Sequence, residues 1–483
     1  MPQPLRNGLL PDASLPLPPA TRSVLRRAAR ALLTALPGLW LAGCPASEPP
    51  PGPAAGSPET SPTSSLSETD GADGGWNLPE PALGTGTPDE LRALEVPELS
   101  FVPCSEGLPV QGSWRGYPDL IDFDGDGRAE VVVSNREEDG WNLWTFVPGG
   151  EGRAFEAGAW EKRHTGLPRD LQYGGQDGFD VDHDGDIDLV LSSHAQGLRV
   201  FRNAGELTWD QVLPPPRTVT LILDLCGANL NGDEHRDVAG IGHFKGGVNL
   251  YLGDGKGGFT LLDESRDLMG FEKAFGMQIE AADFDDNGLD DLIVAAENGV
   301  RAFFTSVDAN GKPSWTEHSL GLPETKTIGN ILRGLAIADF VEGGLPEVAF
   351  GSLYDPGQRE EDRRTMGVYS YDPATQRWTA RDSGLLDKVN AFDVRAADFD
   401  QDGHVDLLAC VQTLGGVLFL GDGKGGFRLA GQIKAILPKS DLAVGDVDGD
   451  GRPDIAASVG GQKGGRPGSV NVFLNRAEAF AAR

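Results

Sequence analysis

The chain has few cysteines, few histidines and few positive charges, and each shortage removes a class of function. Only 4 cysteines occur in 483 residues. Cys104, Cys226 and Cys410 lie far apart without metal-ligand spacing, so they read as buried thiols in strands rather than as a disulfide framework or a nucleophile. The 7 histidines form no cluster of the kind that holds zinc. Lys+Arg number 41 against 73 Asp+Glu, a formal net charge of −32, and a nucleic-acid partner would need a basic stripe instead. No Ser/His/Asp order or isolated carboxylate pair stands out as catalytic.

What the chain does have is one nine-residue pattern, Asp-x-Asp-x-Asp-Gly-x-x-Asp, seven times over. The copies begin at Asp122, Asp180, Asn229, Asp283, Asp339, Asp398 and Asp446, with spacings of 58, 49, 54, 56, 59 and 48 residues. A pattern at a nearly fixed period marks a structural repeat. Six copies place oxygen side chains at positions 1, 3 and 5. These are Asp122, Asp124 and Asp126; Asp180, Asp182 and Asp184; Asn229, Asn231 and Asp233; Asp283, Asp285 and Asn287; Asp398, Asp400 and Asp402; and Asp446, Asp448 and Asp450.

Two carboxylates ~4 Å apart repel by roughly 1 kcal/mol in water and ~4 kcal/mol near a protein surface. Such crowding calls for a cation. Oxygen-only side chains at positions 1, 3 and 5, with a carbonyl at 7 (Arg128, Asp186, His235, Leu289, His404 and Arg452), suit a hard ion that takes about 6–8 oxygens, which is calcium. An EF-hand would need a glutamate at position 12, where this chain has Val133, Leu191, Gly240, Val294, Phe350, Ala409 and Ala457. Position 9 instead carries Glu130, Asp188, Asp237, Asp291, Glu347, Asp406 and Asp454, each leading into a short apolar run of strand type. The copy at Asp339 has Val341 and Gly343 at positions 3 and 5 and is expected to be metal-free; the Asn-rich copy at Asn229 is expected to bind weakly. About six calcium sites follow.

The N-terminus reads as a targeting segment. Arg22, Arg26, Arg27 and Arg30 precede an apolar run, residues 31–43, too short to span a bilayer and suited to a signal peptide. Residues 41–44, Leu-Ala-Gly-Cys, resemble the bacterial lipobox, which implies lipidation of Cys44 and an exported, lipid-anchored protein of the cell envelope. The Pro-rich stretch before Arg22 points to a start downstream, for instance at Val24. Residues 44–98 are rich in Pro, Ser and Gly and read as a disordered tether.

Residues 99–483 then form the third region, with one loop per ~55 residues and four short strands readable in each period, the signature of a β-propeller blade. Short linkers such as Gly166-Leu-Pro168 and Gly321-Leu-Pro323 close the periods. The first, Gly107-Leu-Pro109, precedes any acidic loop, and the chain ends soon after a third strand. Residues 99–103 are therefore expected to complete the last blade.

The repeats resemble the FG-GAP/VCBS repeats of seven-bladed, integrin-α-like propellers. The resemblance implies an all-β, seven-bladed fold with calcium loops between strands 1 and 2, and adds the position 9 carboxylates Glu130, Asp188, Asp237, Asp291, Asp406 and Asp454 to the ligands. No Gly-Ala-Pro follows strand 2, and no adhesion domain is inserted. The expected function is a calcium-stabilised, non-enzymatic binding or adhesion module, with an unknown glycan or protein as ligand. The alternatives are a polysaccharide-acting enzyme and an assembly or secretion scaffold. The face opposite the loops carries aromatics (Trp114, Tyr117, Trp141, Tyr173, Phe271, Tyr354 and Phe392) and charges at residues 359–364 that can stack on or grip a ligand, or else pack between blades.

Overall fold

The computed structural model describes residues 96–476 and 480, apart from 115, 136–139, 150–154, 156–157, 164–165, 170–173, 194–196, 213–221, 243–246, 263–275, 297–298, 325–331, 354–364, 387–388 and 461–466. The signal segment, Cys44, most of the tether, Tyr173, Phe271, Tyr354 and residues 359–364 lie outside the described residues.

The apolar run after each acidic loop forms a strand with no polar alternation. Glu130–Ser134, Asp188–Ser193, Asp237–Gly242, Asp291–Ala296, Glu347–Ser352 and Asp406–Val411 are buried at every residue. A strand covered on both faces needs apolar side chains on both, which is why these runs are continuous. Each buried Val, Leu or Ile contributes about 1.5–3 kcal/mol before entropy is counted.

The fold is a seven-bladed β-propeller. Its 28 described strands form seven four-stranded antiparallel sheets. Blades 1 to 6 begin at Asp119–Ile121, Gln176–Phe179, Ile222–Ala228, Gly276–Ala282, Leu332–Ala338 and Ala391–Ala397, and each is a simple meander. Blade 7 takes Asp441–Gly445, Asp454–Val459 and Ser469–Leu474 from the end of the chain and its outer strand, Val102–Pro103, from the beginning. Just before that strand, residues 97–99 attach to blade 6: Leu99 N donates to Gln432 O at 2.8 Å and Gln432 N to Pro97 O at 2.8 Å.

Three Gly-Leu-Pro linkers fasten one blade to the next. After blade 7 comes Gly107 against Trp160 of blade 1; after blade 1, Gly166 against Trp209 of blade 2; after blade 4, Gly321 against Trp378 of blade 5. Trp160 N donates to Glu106 O at 2.7 Å and Trp378 N to Leu320 O at 2.8 Å. A Cβ on any of these glycines would overlap the aromatic residue's carbonyl oxygen, and their φ values of 89, 95 and 100° already disfavour other residues.

Near the axis, side chains stitch neighbouring first strands. Asp177 Oδ2 accepts from Gly227 N (2.7 Å), Asp224 Oδ2 from Ile279 N (3.1 Å), Gln278 Oε1 from Leu335 N (2.7 Å) and Asp393 Oδ2 from Leu442 N (2.7 Å). Asp224 is buried here, with Asp119, Glu280 and Arg395 half-buried around it. Arg395 bonds Asp393 Oδ1 at 2.8 Å and Leu442 O at 2.8 Å. Burial pushes Asp119 and Glu280 up to about 7 and Asp224 well above the usual carboxylate range.

Candidate metal centres

In each loop the backbone folds the carboxylates inward. In the loop of blade 1, Asp122 Oδ1 accepts from Asp126 N (3.1 Å) and its Oδ2 from Gly127 N (2.9 Å), while Asp126 Oδ1 accepts from Arg128 N (2.9 Å). The same ladder recurs at Asp283, Asp398 and Asp446, where the position 6 glycine donates to the position 1 carboxylate at 2.8, 2.9 and 2.8 Å. Gly127, Gly185, Gly288, Gly403 and Gly451 hold φ between 83 and 99°, the left-handed turn that aims the side chains at one point.

Five loops thereby gather three carboxylates whose oxygens lie within 4.8 Å of one another: Asp122, Asp124 and Glu130; Asp180, Asp182 and Asp188; Asp283, Asp285 and Asp291; Asp398, Asp400 and Asp406; Asp446, Asp448 and Asp454. The donor set is oxygen only. Asp182 Oδ1 is buried with no hydrogen-bond partner. Positions 1, 3 and 9 converge in these loops, while Asp126, Asp184, Asn287, Asp402 and Asp450 at position 5 stand at the solvent side. Asp126 is paired with Arg128, and Asp450 with Arg452 and with Arg476 at 3.2 Å.

The loop at Asn229 has fewer charges at its ligand positions and Glu234 in place of the position 6 glycine. Asn229 Oδ1 accepts from Gly232 N at 3.0 Å, its Nδ2 donates to Gly288 O of the next loop at 2.9 Å, and Asn231 Nδ2 donates to Asp233 Oδ2 at 2.8 Å. At its ligand positions only Asp233 and Asp237 are carboxylates. In the loop at Asp339, Val341 and Gly343 bring none, and Asp339 Oδ1 is buried without a partner.

The position 9 carboxylate has a second task that spacing alone does not reveal. In six loops it accepts the backbone N–H of position 2 at 2.8–3.0 Å, and in the loop at Asp339 Glu347 accepts that of Val341 at position 3, at 3.0 Å. Its other oxygen accepts from the end of strand 3: Asn203 N, Gly253 N, Thr305 N, Gly421 N and Asn475 N at 2.7–3.0 Å, and Thr145 Oγ1 and Ser370 Oγ at 3.2 and 2.9 Å. Glu347 makes both contacts although its loop lacks the other ligands. Burial pushes Glu130 and Asp406 up to about 8, Asp291 and Asp454 to about 7, and Asp188 and Asp237 to about 6. A bound divalent ion would offset that cost of ionisation.

At five junctions the loops of adjacent blades also touch, position 4 of one lying beside position 6 or 7 of the next. His183 Nε2 lies 2.9 Å from His235 Nδ1, Glu342 Oε1 lies 2.7 Å from His404 Nδ1, and Gln401 Nε2 donates to Gly451 O at 3.1 Å beside Arg452. Gly232 faces Leu289, and Gly449 faces Arg128. The side chains of His235, Leu289 and His404 at position 7 therefore look sideways, at the neighbouring blade. The sequence showed no histidine cluster because His183 and His235 are 52 residues apart; the ring brings them together.

The acidic loops also decide the family comparison. The FG-GAP-like repeat family matches residues 229–294 and 398–457, each stretch beginning at the first position of an acidic loop and running through the following one. The chain carries FG-GAP-like repeats. No curated protein matches it by sequence. Two crystal structures of BBS1N in complex with ARL6DN, soaked with mercury and with lead, are similar at 12% and 13% identity. They cover 79% and 78% of this chain and 99% and 97% of their own, with TM-scores of 0.45 and 0.47, a likeness too remote to carry functional meaning.

On the other face of this FG-GAP-like propeller, the expected ligand-facing rings are differently employed. Trp141 is fully buried, and Trp114 packs in the core edge-on to Trp144 with its Nε1 donating to Gln111 O at 2.8 Å. Neither offers a face to a ligand; inter-blade packing accounts for both. Tyr117 reaches across the axis from blade 1, its hydroxyl donating to Met277 O of blade 4 at 2.9 Å. Cys104, Cys226 and Cys410 are buried and form no disulfide among the described residues.

Proposed function

We propose that this protein is a calcium-stabilised, non-enzymatic binding or adhesion module, displayed on a bacterial envelope through a lipid on Cys44. The observation that carries the calcium part is the set of five three-carboxylate clusters, oxygen-only and turned inward by their own backbone. Positions 1, 3, 5 and 9 would hold the ion by side chains and position 7 by its carbonyl. The chemistry supplied is charge neutralisation across loops that otherwise repel themselves. The position 9 carboxylate then ties the ion to strands 2 and 3 of its blade. Binding is assigned to the face opposite the loops, where the connections between strands 2 and 3 and between blades run.

Thermal melting with and without calcium, followed by counting bound metal, tests the first part. A site saturated at about 100 times its Kd adds about 2.7 kcal/mol. A large upward shift with five or six ions is expected, and an unchanged midpoint refutes the calcium reading. A glycan array and a pull-down test the second. Mass spectrometry of the mature N-terminus tests the anchor, which an unmodified Cys44 would eliminate.

A further inference from the structure

We propose that the junction of blades 2 and 3 carries a metal site of a second class, a two-imidazole seat for a borderline divalent transition cation, formed by His183 and His235. The two ring nitrogens face each other at 2.9 Å, with ring centroids 5.2 Å apart. On metal–nitrogen bonds of about 2.0–2.1 Å, that separation subtends about 90°, the angle between neighbouring ligands of an octahedral or tetragonal ion such as Ni2+ or Cu2+. Tetrahedral Zn2+ would need the nitrogens only about half an ångström further apart. Water completes the shell on the solvent side.

The seat is built rather than incidental. His183 sits at φ 64°, a left-handed conformation that few non-glycine residues adopt. The turn of blade 3 closes over the pair at Gly255, φ 65°, where a Cβ would overlap His235 and stand 3.1 Å from His183 Cδ2. Gly257 N of the same turn donates to Val181 O at 3.2 Å, which fixes the turn to the loop that carries His183.

Charge and ligand type separate this site from the calcium loops. Residues 180–188 hold five aspartates, and residues 229–237 hold three acids and one arginine. With one calcium in each loop, a net charge of about −3 remains to attract a further cation. Calcium takes oxygen, whereas imidazole suits nickel, copper and zinc. Among the described residues, no other junction of this kind brings two imidazoles together; the blade 5–6 junction pairs His404 with Glu342 instead.

The test uses the full chain without a histidine tag, saturated with calcium, and titrates Ni2+ by calorimetry. Wild type is expected to bind one equivalent more than His183→Gln or His235→Gln, in each of which this site is about tenfold or more weaker. Calcium content is expected to stay at the wild-type value in His183→Gln, since position 4 lies outside the calcium-ligand set. Equal nickel binding in wild type and variants would place the ion elsewhere and overturn the proposal. If a variant fails to fold, the Cu2+ EPR spectrum of wild type decides alone: coupling to two imidazole nitrogens supports the seat, and coupling to fewer overturns it.

Discussion

Replacing Asp119 by Asn should stabilise the propeller, and by more at high pH than at low. Asp119 is half-buried near the axis, and desolvation there, reinforced by the Asp177 charge, pushes it from 3.8 up to about 7. The fold therefore holds the proton more tightly than the unfolded chain does. Stability must fall as pH rises between about 4 and 7, because the native state resists losing that proton. Asparagine has no proton to lose. It can still accept the Leu120 N–H that Asp119 Oδ1 accepts at 2.9 Å, and Arg395 keeps Asp393 at 2.8 Å. From a shift of about 3 pKa units, the advantage of the variant grows by at most about 2.5 kcal/mol between pH 5 and pH 8. With an unfolding entropy of about 2.1 cal/mol/K per residue over roughly 385 residues, that is about 3 °C. Melting both proteins at pH 5, 6, 7 and 8 in constant calcium measures the gap directly. A gap that stays flat or reverses would show that Asp119 is ionised in the fold and paired with Arg395.

Three further outcomes follow from the same contacts. Gly321→Ala should cost about 3 kcal/mol in urea unfolding, because its Cβ meets the Trp378 carbonyl at a positive φ; wild-type stability would show that the linker gives way easily. Glu347→Ala should destabilise by about 1–3 kcal/mol while leaving bound calcium unchanged, since Val341 N and Ser370 Oγ lose their acceptor; a loss of calcium would mean that this loop binds metal after all. Deleting residues 97–105 should lower the melting midpoint of the whole ring, and an unchanged midpoint would mean that blade 7 closes without Val102–Pro103.

The repeat made the blades legible. Asp-Gly loops at a steady period, position 9 in place of an EF-hand position 12, and an orphan linker at Gly107 were enough for seven sheets and for the expectation that residues 99–103 supply a closing strand. The ladder itself is only Val102–Pro103. What stayed hidden lies between blades. The contacts of position 4 with the next loop, the latches of the three Gly-Leu-Pro linkers on the next outer strand, and the acids near Arg395 all depend on how one sheet is rotated against another. A one-dimensional period has no record of that angle. The tryptophans show the same limit: Trp141 and Trp114 look like ligand platforms in a loop-rich segment, but the adjacent blade covers them. The double duty of Glu347 was also invisible, because a carboxylate at a ligand position looks identical whether it binds metal or backbone.

The chain enters its ring at the place where the ring is closed. Tension applied at residue 96 first loads the Pro97, Leu99 and Gln432 hydrogen bonds and the ion pair of Glu98 with Lys434 at 2.7 Å, all on blade 6. Only behind them does it reach Val102–Pro103 on blade 7. Residues 97–99 thus act as a strain relief. A pull on the leading end has to peel one blade's edge before it can work on the two-residue seam that keeps the circle shut.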